Sequence, residues 1–481
     1  MTTEFFHQPN QTRAAMAGDP HRPVYHFLPP QNWMNDPNGL FYWQAKYHLF
    51  YQFNPFGSLW GSIHWGHASS TDLVHWQDHP IALAPEPGTG DENGCWSGCL
   101  VDDNGIPTAI YTGYINRENT PVMLARSTNT DLVHWEKSPY NPIISQIPAG
   151  VNPSNFRDPY VWQEDGVWKL VLGAGLDDGS GAVLLYQSDD LVQWHYQGIL
   201  FQKKTLETIT MWECPNFFRL GDHYVLIVSL FPDVQGVYYY VGDYDGDNFT
   251  PLTEGFLDRG PVFYAPQVRS FPGNRTILFS WLMEQRSDDA VEAAGWSGVQ
   301  AIPRDLALDD NLKLVSRPIQ EIQQLRGKVH QANNLQTLPD NLIQLPVAGR
   351  HLEIELVLQA DSGVFILEVN ASPNGKETTR ISYDFANQMV MLDTRNSSLA
   401  ESAAGTLQQL DLPTTKEDLV KTRVFLDGSV IEVWFNDQQA LTARSYPSMA
   451  DSHHLYLNAD GGSCKVKDLQ VWQMKPIWPV N

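Results

Sequence analysis

Short apolar runs separated by glycine-marked turns recur along the first three hundred residues. Residues 159–162 (Pro159-Tyr160-Val161-Trp162), a turn at Gly166 and residues 167–172 predict two strands joined as a hairpin. The same pattern runs through Pro215-Asn216-Phe217-Phe218, Gly221 and residues 224–228. Ser97 opens a third copy, with Gly105 at its turn, and Ala265 a fourth, with Gly273. Counted from Ser97, Asp158, Glu213 and Ala265, the glycine lies eight positions on in every case. A fifth copy begins at Asp36, with Gln44-Ala45 where the glycine would fall. The five openings are spaced 61, 61, 55 and 52 residues apart, a period that predicts an array of small antiparallel sheets.

A second marker carries the same period. Asp72-Leu73-Val74-His75-Trp76 recurs as Asp131-Leu132-Val133-His134-Trp135 and as Asp190-Leu191-Val192-Gln193-Trp194, at steps of 59 residues. Five such units fill residues 21–318, and closing them around an axis as a five-bladed β-propeller would leave only short, protected edges. Asp36, Asp158 and Glu213 would then meet at one end of the channel. Beyond Pro318, Ile319, Ile322 and Leu325 are three apart, which predicts a short amphipathic helix capped by Ser316 with Pro318 in its first turn. This helical linker is assigned to 319–335. Alternating strands then return in 336–481 without the repeat mark, as in Leu352-Glu353-Ile354-Glu355-Leu356, and predict an all-β sandwich. Residues 1–20 are polar and aperiodic and read as a loose N-terminal arm.

The composition narrows the function. The 35 Gly and 32 Pro suit many short strands and tight turns rather than long helices. A formal net charge of −24 argues against nucleic-acid and anionic-membrane partners and is compatible with a neutral sugar. The start, Met1-Thr2-Thr3-Glu4-Phe5-Phe6, has no basic segment followed by an apolar core, so no secretory signal is expected. Cys95, Cys99, Cys214 and Cys464 accordingly read as free thiols of a reducing, cytoplasmic compartment. The sequence gives no reading of oligomeric state.

Clustered carboxylates, sixteen tryptophans and no metal-ligand constellation point to glycoside cleavage. Such a site separates the pKa values of two carboxyl groups. Arg157 beside Asp158 would favour its ionised form, and the turn Pro37-Asn38-Gly39 would offer Asp36 backbone donors. Glu213, between Trp212 and Cys214-Pro215, has the least polar neighbours and reads as the proton donor. Trp60, Trp96 and Trp296 are the expected sugar platforms, whereas His64 and His67 read as structural.

These residues spell a family. Trp33-Met34-Asn35-Asp36-Pro37-Asn38-Gly39, Gln52-Phe53-Asn54-Pro55, Trp65-Gly66-His67-Ala68, Trp96-Ser97-Gly98, Phe156-Arg157-Asp158-Pro159 and Glu213-Cys214-Pro215 resemble glycoside hydrolase family 32, the invertase, fructanase and sucrose-6-phosphate hydrolase group. Tyr264-Ala265-Pro266-Gln267 and Gly295-Trp296-Ser297-Gly298 extend the resemblance. It implies retaining cleavage of a β-fructofuranoside, with Asp36 as nucleophile, Glu213 as general acid/base and Asp158 holding the fructosyl hydroxyls. It places sugar contacts at Asn35, Gln52, Trp60, Ser97, Arg157, Tyr264 and Trp296, and implies no cofactor or metal. Two positions depart from the family pattern: Cys99 replaces a serine and Val262 an aspartate. Sucrose hydrolysis is the leading expectation, with exo-cleavage of short fructans a close variant. Fructosyl transfer shares every catalytic residue. Phosphorylated sucrose would call for a basic cluster on the leaving-group side that the sequence does not display, and the intact acids argue against an inactive sugar-binding propeller.

Overall fold

The computed structural model describes residues 9–233, 236–360, 363–403, 405–413 and 419–478. Strand makes up 59% and helix 4%, so the all-β expectation holds. No helix among the described residues is long and apolar enough to cross a membrane.

After helix α1 (Pro9–Ala15), the first sheet contains β1 (Asn32–Trp43), β2 (Lys46–Asn54), β3 (His64–Ser70) and β4 (Trp76–Leu83). The second is β5 (Gly94–Asp103), β6 (Ile106–Tyr114), β7 (Val122–Ser127) and β8 (Trp135–Lys137). The third is β9 (Val151–Glu164), β10 (Val167–Leu176), β11 (Gly181–Ser188) and β12 (His195–Lys203). The fourth is β13 (Ile209–Leu220), β14 (His223–Pro232), β15 (Val237–Tyr244) and β16 (Phe249–Asp258). The fifth starts with β17 (Phe263–Phe271) and β18 (Arg275–Leu282). It continues after α2 (Asp288–Ala294), β19 (Trp296–Ser297) and β20 (Val299–Gln300) into β21 (Arg304–Leu308) and β22 (Leu314–Pro318). First strands are neighbours in sequence order, β1 to β5 to β9 to β13 to β17, and β17 lies against β1. β19 adds to β1 in parallel, pairing Asn32 with Trp296 and Trp33 with Ser297.

Both sequence markers have a physical basis. The first hairpins turn through left-handed pairs, Asn104-Gly105 and Asp165-Gly166. Gln44-Ala45 adopts the same positive φ without glycine. The repeated Asp-Leu-Val segment is the turn between third and fourth strands. Its leucine is buried at positive φ in all three copies (Leu73, Leu132 and Leu191). Asp72 and Asp190 accept the backbone N–H groups that follow, and Asn129 does so in the middle copy. The indoles of Trp135 and Trp194 close it onto the leucine carbonyl at 2.9 Å.

Every first strand bulges near its opening residue. Two residues face one partner at 35–36, 96–97, 158–159, 214–215 and 265–266. Prolines 159, 215 and 266 fill the second slot of the last three, where no ladder N–H is needed. The first-slot residues Asp158, Cys214 and Ala265 have φ of 68°, 47° and 48°. Measured from the bulge, the three carboxylates do not share one address. Glu213 precedes it, Asp158 takes the first slot and Asp36 the second, so one kink presents acids at three successive positions.

The C-terminal part is two six-stranded sheets enclosing an apolar core that includes Ile354, Leu367, Val424 and Leu457. Strand Arg326–Thr337 already belongs to it, pairing with Cys464–Met474, so the segment assigned as linker ends at Leu325. The helical part is a 3-10 turn, Gln320–Leu325, with Ile322 and Leu325 buried. Ser316 and Pro318 lie on β22 and do not cap it. Asp258 of β16 pairs with Ala440, making the fourth sheet continuous with the sandwich. At this junction Arg304, fully buried, donates to Asp258 at 2.8 Å, Glu432 at 2.7 Å and Thr442 at 3.0 Å. The stretch expected to be a loose arm is anchored in its described part: Arg13 of α1 pairs with Asp78 at 2.6 Å and lies over the Trp478 ring. Residues 1–8 are outside the described set.

Candidate active site

Three first strands bring Asp36, Asp158 and Glu213 to one cavity of about 660 Å³. Asp36 is held by side chains rather than by the backbone donors expected from its turn. Asn35 donates to one oxygen at 3.1 Å. Ser97 at 2.6 Å and Gln52 at 3.2 Å donate to the other. Burial outweighs these donors, and with the Glu213 charge nearby it pushes the Asp36 carboxyl up to about 6.

Asp158 receives the Cys214 backbone N–H at 3.0 Å. Its own N–H donates to Thr112 at 2.8 Å, which fixes the left-handed residue from behind. Burial raises the Asp158 carboxyl to about 7, with Arg157 opposing and the charges of Glu213 and Asp36 adding. The Cys214 thiol lies 3.6 Å from Asp36 and 3.5 Å from Asp158, so its one proton is shared between two facing carboxylates. Burial and the three acids push that thiol well above its ordinary range and keep it a donor.

Glu213 has a cationic and a hydroxyl partner, against the sequence expectation that its neighbours are the least polar. Arg157 Nε and Nη2 donate to its Oε1 at 2.9 and 2.5 Å, and the Tyr264 hydroxyl donates to Oε2 at 2.5 Å. Arg157 is thus paired with Glu213 and not with its sequence neighbour Asp158. Its remaining nitrogen, Nη1, donates to the Ser154 carbonyl at 3.0 Å.

Of the expected sugar contacts, Asn35, Gln52, Trp60, Arg157 and Tyr264 line the cavity. Ser97 sits beneath it as a support for Asp36. Trp296 does not reach it: the ring is 1% exposed, its N–H donates to Asp19 at 2.7 Å, and Arg286 covers one face. Trp60, 52% exposed, stands at the rim against Trp96, which stacks on Tyr114 at 4.0 Å. Tyr114, Arg117, Phe231 and Trp281 also line the cavity. They come from strand ends and connecting loops outside the repeat markers, and no local signal distinguished them. Cys99 faces a core between the second and third sheets, where its sulfur accepts the Val161 N–H at 3.2 Å. Val262 is buried as well, so both departures fall outside the cavity lining.

Residues 26–318 match the model for the glycosyl hydrolases family 32 N-terminal domain, and residues 321–473 match that for the family 32 C terminal. The sucrose-6-phosphate hydrolase of Escherichia coli is 32% identical, over 95% of this chain and 96% of its own. The raffinose invertase of Escherichia coli is 34% identical, over 96% of this chain and 97% of its own. The crystal structure of fructan 1-exohydrolase IIa from Cichorium intybus matches with a TM-score of 0.87 at 28% identity, over 96% of this chain and 99% of its own. With the two models matched in order and relatives aligned over nearly the full length, the chain belongs to glycosyl hydrolase family 32 and is a glycoside hydrolase.

Proposed function

We propose that this enzyme is a retaining β-fructofuranosidase that hydrolyses sucrose, and short fructans by the same exo cut. The observation that carries the reading is the convergence of Asp36, Asp158 and Glu213 on one cavity, joined through Cys214, Arg157 and Tyr264. The names of the relatives, an invertase and a fructan exohydrolase among them, support the substrate class. The five sheets are proposed to be the blades of a propeller spanning 21–318, an arrangement supported by the succession of first strands back to β1. The sandwich begins at Arg326.

In the proposed reaction an Asp36 oxygen attacks the anomeric carbon of the fructosyl unit. The bond to the leaving oxygen breaks as Glu213 gives that oxygen its proton. A fructosyl ester on Asp36 results. Glu213, now a carboxylate, takes a proton from water, whose oxygen attacks the same carbon and releases Asp36. Ser97, Gln52 and Asn35 support the charge Asp36 carries before attack and after release. Burial raises both the Asp36 and the Asp158 carboxyl above the ordinary carboxylate range, so neighbouring donors decide which of them is ionised. Sugar hydroxyls donating to Asp158 favour its ionised form. Asp158 then meets the positive charge that develops on the sugar ring, an interaction stronger in the transition state than in the bound substrate.

Proton NMR of the first products from sucrose tests both parts of the reading. β-Fructofuranose appearing ahead of the α anomer is expected. The opposite order would remove Asp36 as nucleophile, and no release of fructose would remove the function.

A further inference from the structure

Away from the active site, a second cavity of about 410 Å³ lies between α1, the segment that follows it and the chain beyond the last sandwich strand. Pro23, Val24, Leu28 and Pro476 give it apolar walls, and Arg13, Arg22 and Trp478 also line it. Arg22 is 6% exposed, Trp478 8% and the Arg13 side chain 10%. Each of the three carries a buried N–H without an acceptor among the described residues: Arg22 Nη1, Arg13 Nε and Trp478 Nε1. Their other contacts hold them in place. Arg22 Nη2 donates to the Pro29 and Pro30 carbonyls at 2.7 and 2.9 Å. Arg13 grips Asp78 with two nitrogens at 2.6 and 2.9 Å and lies 3.4 Å over the Trp478 ring.

A buried donor left unmade costs free energy, and three of the same sense line one cavity here. Charge runs the same way. Asp78 neutralises Arg13, whereas Arg22 has no ion pair among the described residues. The one carboxylate among the described lining residues, Asp19, accepts the Trp296 indole at 2.7 Å and the His21 N–H at 2.9 Å. Burial, with Arg13 adding and Asp19 opposing, pushes Arg22 down to about 9, which leaves it a cation at neutral pH. An oxyanion answers both deficits: its lone pairs accept N–H groups and its charge meets the guanidinium. The apolar walls call for an apolar body on that anion, which a bare phosphate lacks.

We infer that this cavity binds a small organic carboxylate, with its charged end on Arg22 beside the free donors of Arg13 and Trp478 and its apolar part against Val24 and Leu28. The walls come from the N-terminal arm and from the end of the sandwich, so the bound molecule ties the two together. Its effect is on stability, and the inference stands apart from the fructofuranosidase reading.

The test uses benzoate as probe, benzyl alcohol as its neutral counterpart and inorganic phosphate as a bare anion. The indole N–H resonance of Trp478, identified by its loss in Trp478→Phe, should move saturably with benzoate, with a Kd of about 1 mM. Benzyl alcohol and phosphate should leave it in place. Benzoate should also raise the melting temperature of the wild type, since it binds the folded chain alone. Arg22→Met should weaken benzoate binding about tenfold or more, the size of a charge-assisted contact. Should Arg22→Met not fold, the wild-type resonance decides alone. A resonance unmoved by benzoate at about 10 mM would overturn the inference. An equal response to benzyl alcohol would show that no charge is read, and an equal response to phosphate that no apolar body is; either overturns it. Unchanged benzoate affinity in a folded Arg22→Met protein would place the probe elsewhere and overturn it as well.

Discussion

Arg157 grips one oxygen of Glu213 with two nitrogens and leaves the other oxygen to Tyr264. The carboxyl is thereby fixed in orientation at the cavity wall. Glu213→Gln keeps the shape but cannot cycle a proton, so kcat on sucrose should drop by about 10²–10⁴. A fructoside whose leaving group needs no protonation should lose much less in its first step. Near-parental sucrose turnover by a folded Glu213→Gln protein would end the acid/base assignment.

Asp158→Asn removes a charge that the proposed mechanism uses most at the transition state. The substitution should lower kcat more than it raises KM on sucrose. Steady-state kinetics decide this: a change confined to KM would make Asp158 a ground-state contact only.

Three histidines are stacked in the first sheet. His67 lies between Phe50 at 4.2 Å and His79 at 4.5 Å, and exchanges a hydrogen bond with His48 at 2.9 Å. Burial pushes His48 down to about 4 and lowers His67 and His79 as well. In the unfolded chain these groups take up protons near pH 6.5, which the fold refuses, so their contribution to stability drains away as pH falls from 6.5 toward 4. His67→Phe removes one such site. Relative to the wild type, that variant should gain up to about 1.4 kcal/mol per pH unit over this window. Chemical unfolding at several pH values measures it, and a difference independent of pH would contradict the argument.

Arg304 ties the two halves together. Arg304→Met would leave Asp258 buried without its cation and Glu432 with His26 at 3.2 Å as its one ionisable partner among the described residues, a change expected to cost about 3–5 kcal/mol. Urea unfolding reads the loss, and a midpoint equal to that of the wild type would show the network to be dispensable.

Gly298 is confined from both sides. Its φ is 77°, and a β-carbon there would lie 1.8 Å from the Met34 carbonyl, two residues before Asp36. Gly298→Ala must displace β1 and should lower both the melting temperature and kcat on sucrose. Retention of both would mean that β1 yields without moving its carboxylate.

What the sequence made legible was whatever a short segment decides alone. A left-handed turn needs its own residues, so Gly105 and Gly166 gave away the hairpins, and Leu73, Leu132 and Leu191 the strand crossings. The acids were legible because each sits beside a bulge with its own local pattern. Partnership was not. Arg157 is adjacent to Asp158 in sequence, but the bulge turns successive side chains apart and sends the guanidinium to Glu213 on the next sheet. Trp296 belongs to a recognisable motif, but β19 lies on the far side of β1 and carries the ring toward Asp19 and Arg286. Helix α1 lacks periodicity because none of its residues is buried and Arg13 does the anchoring.

The pairing of β19 with β1 also bears on the order in which the protein is made. Asp36, Asp158 and Glu213 all leave the ribosome before Trp296 and Ser297 are synthesised. A nascent chain stalled between Glu213 and Trp296 would display every acid of the cavity with one flank of β1 still unpaired. Met34 would lack the neighbour that confines it. Activity should therefore arise late in synthesis and abruptly, once the segment around residue 297 has emerged and returned to the first sheet.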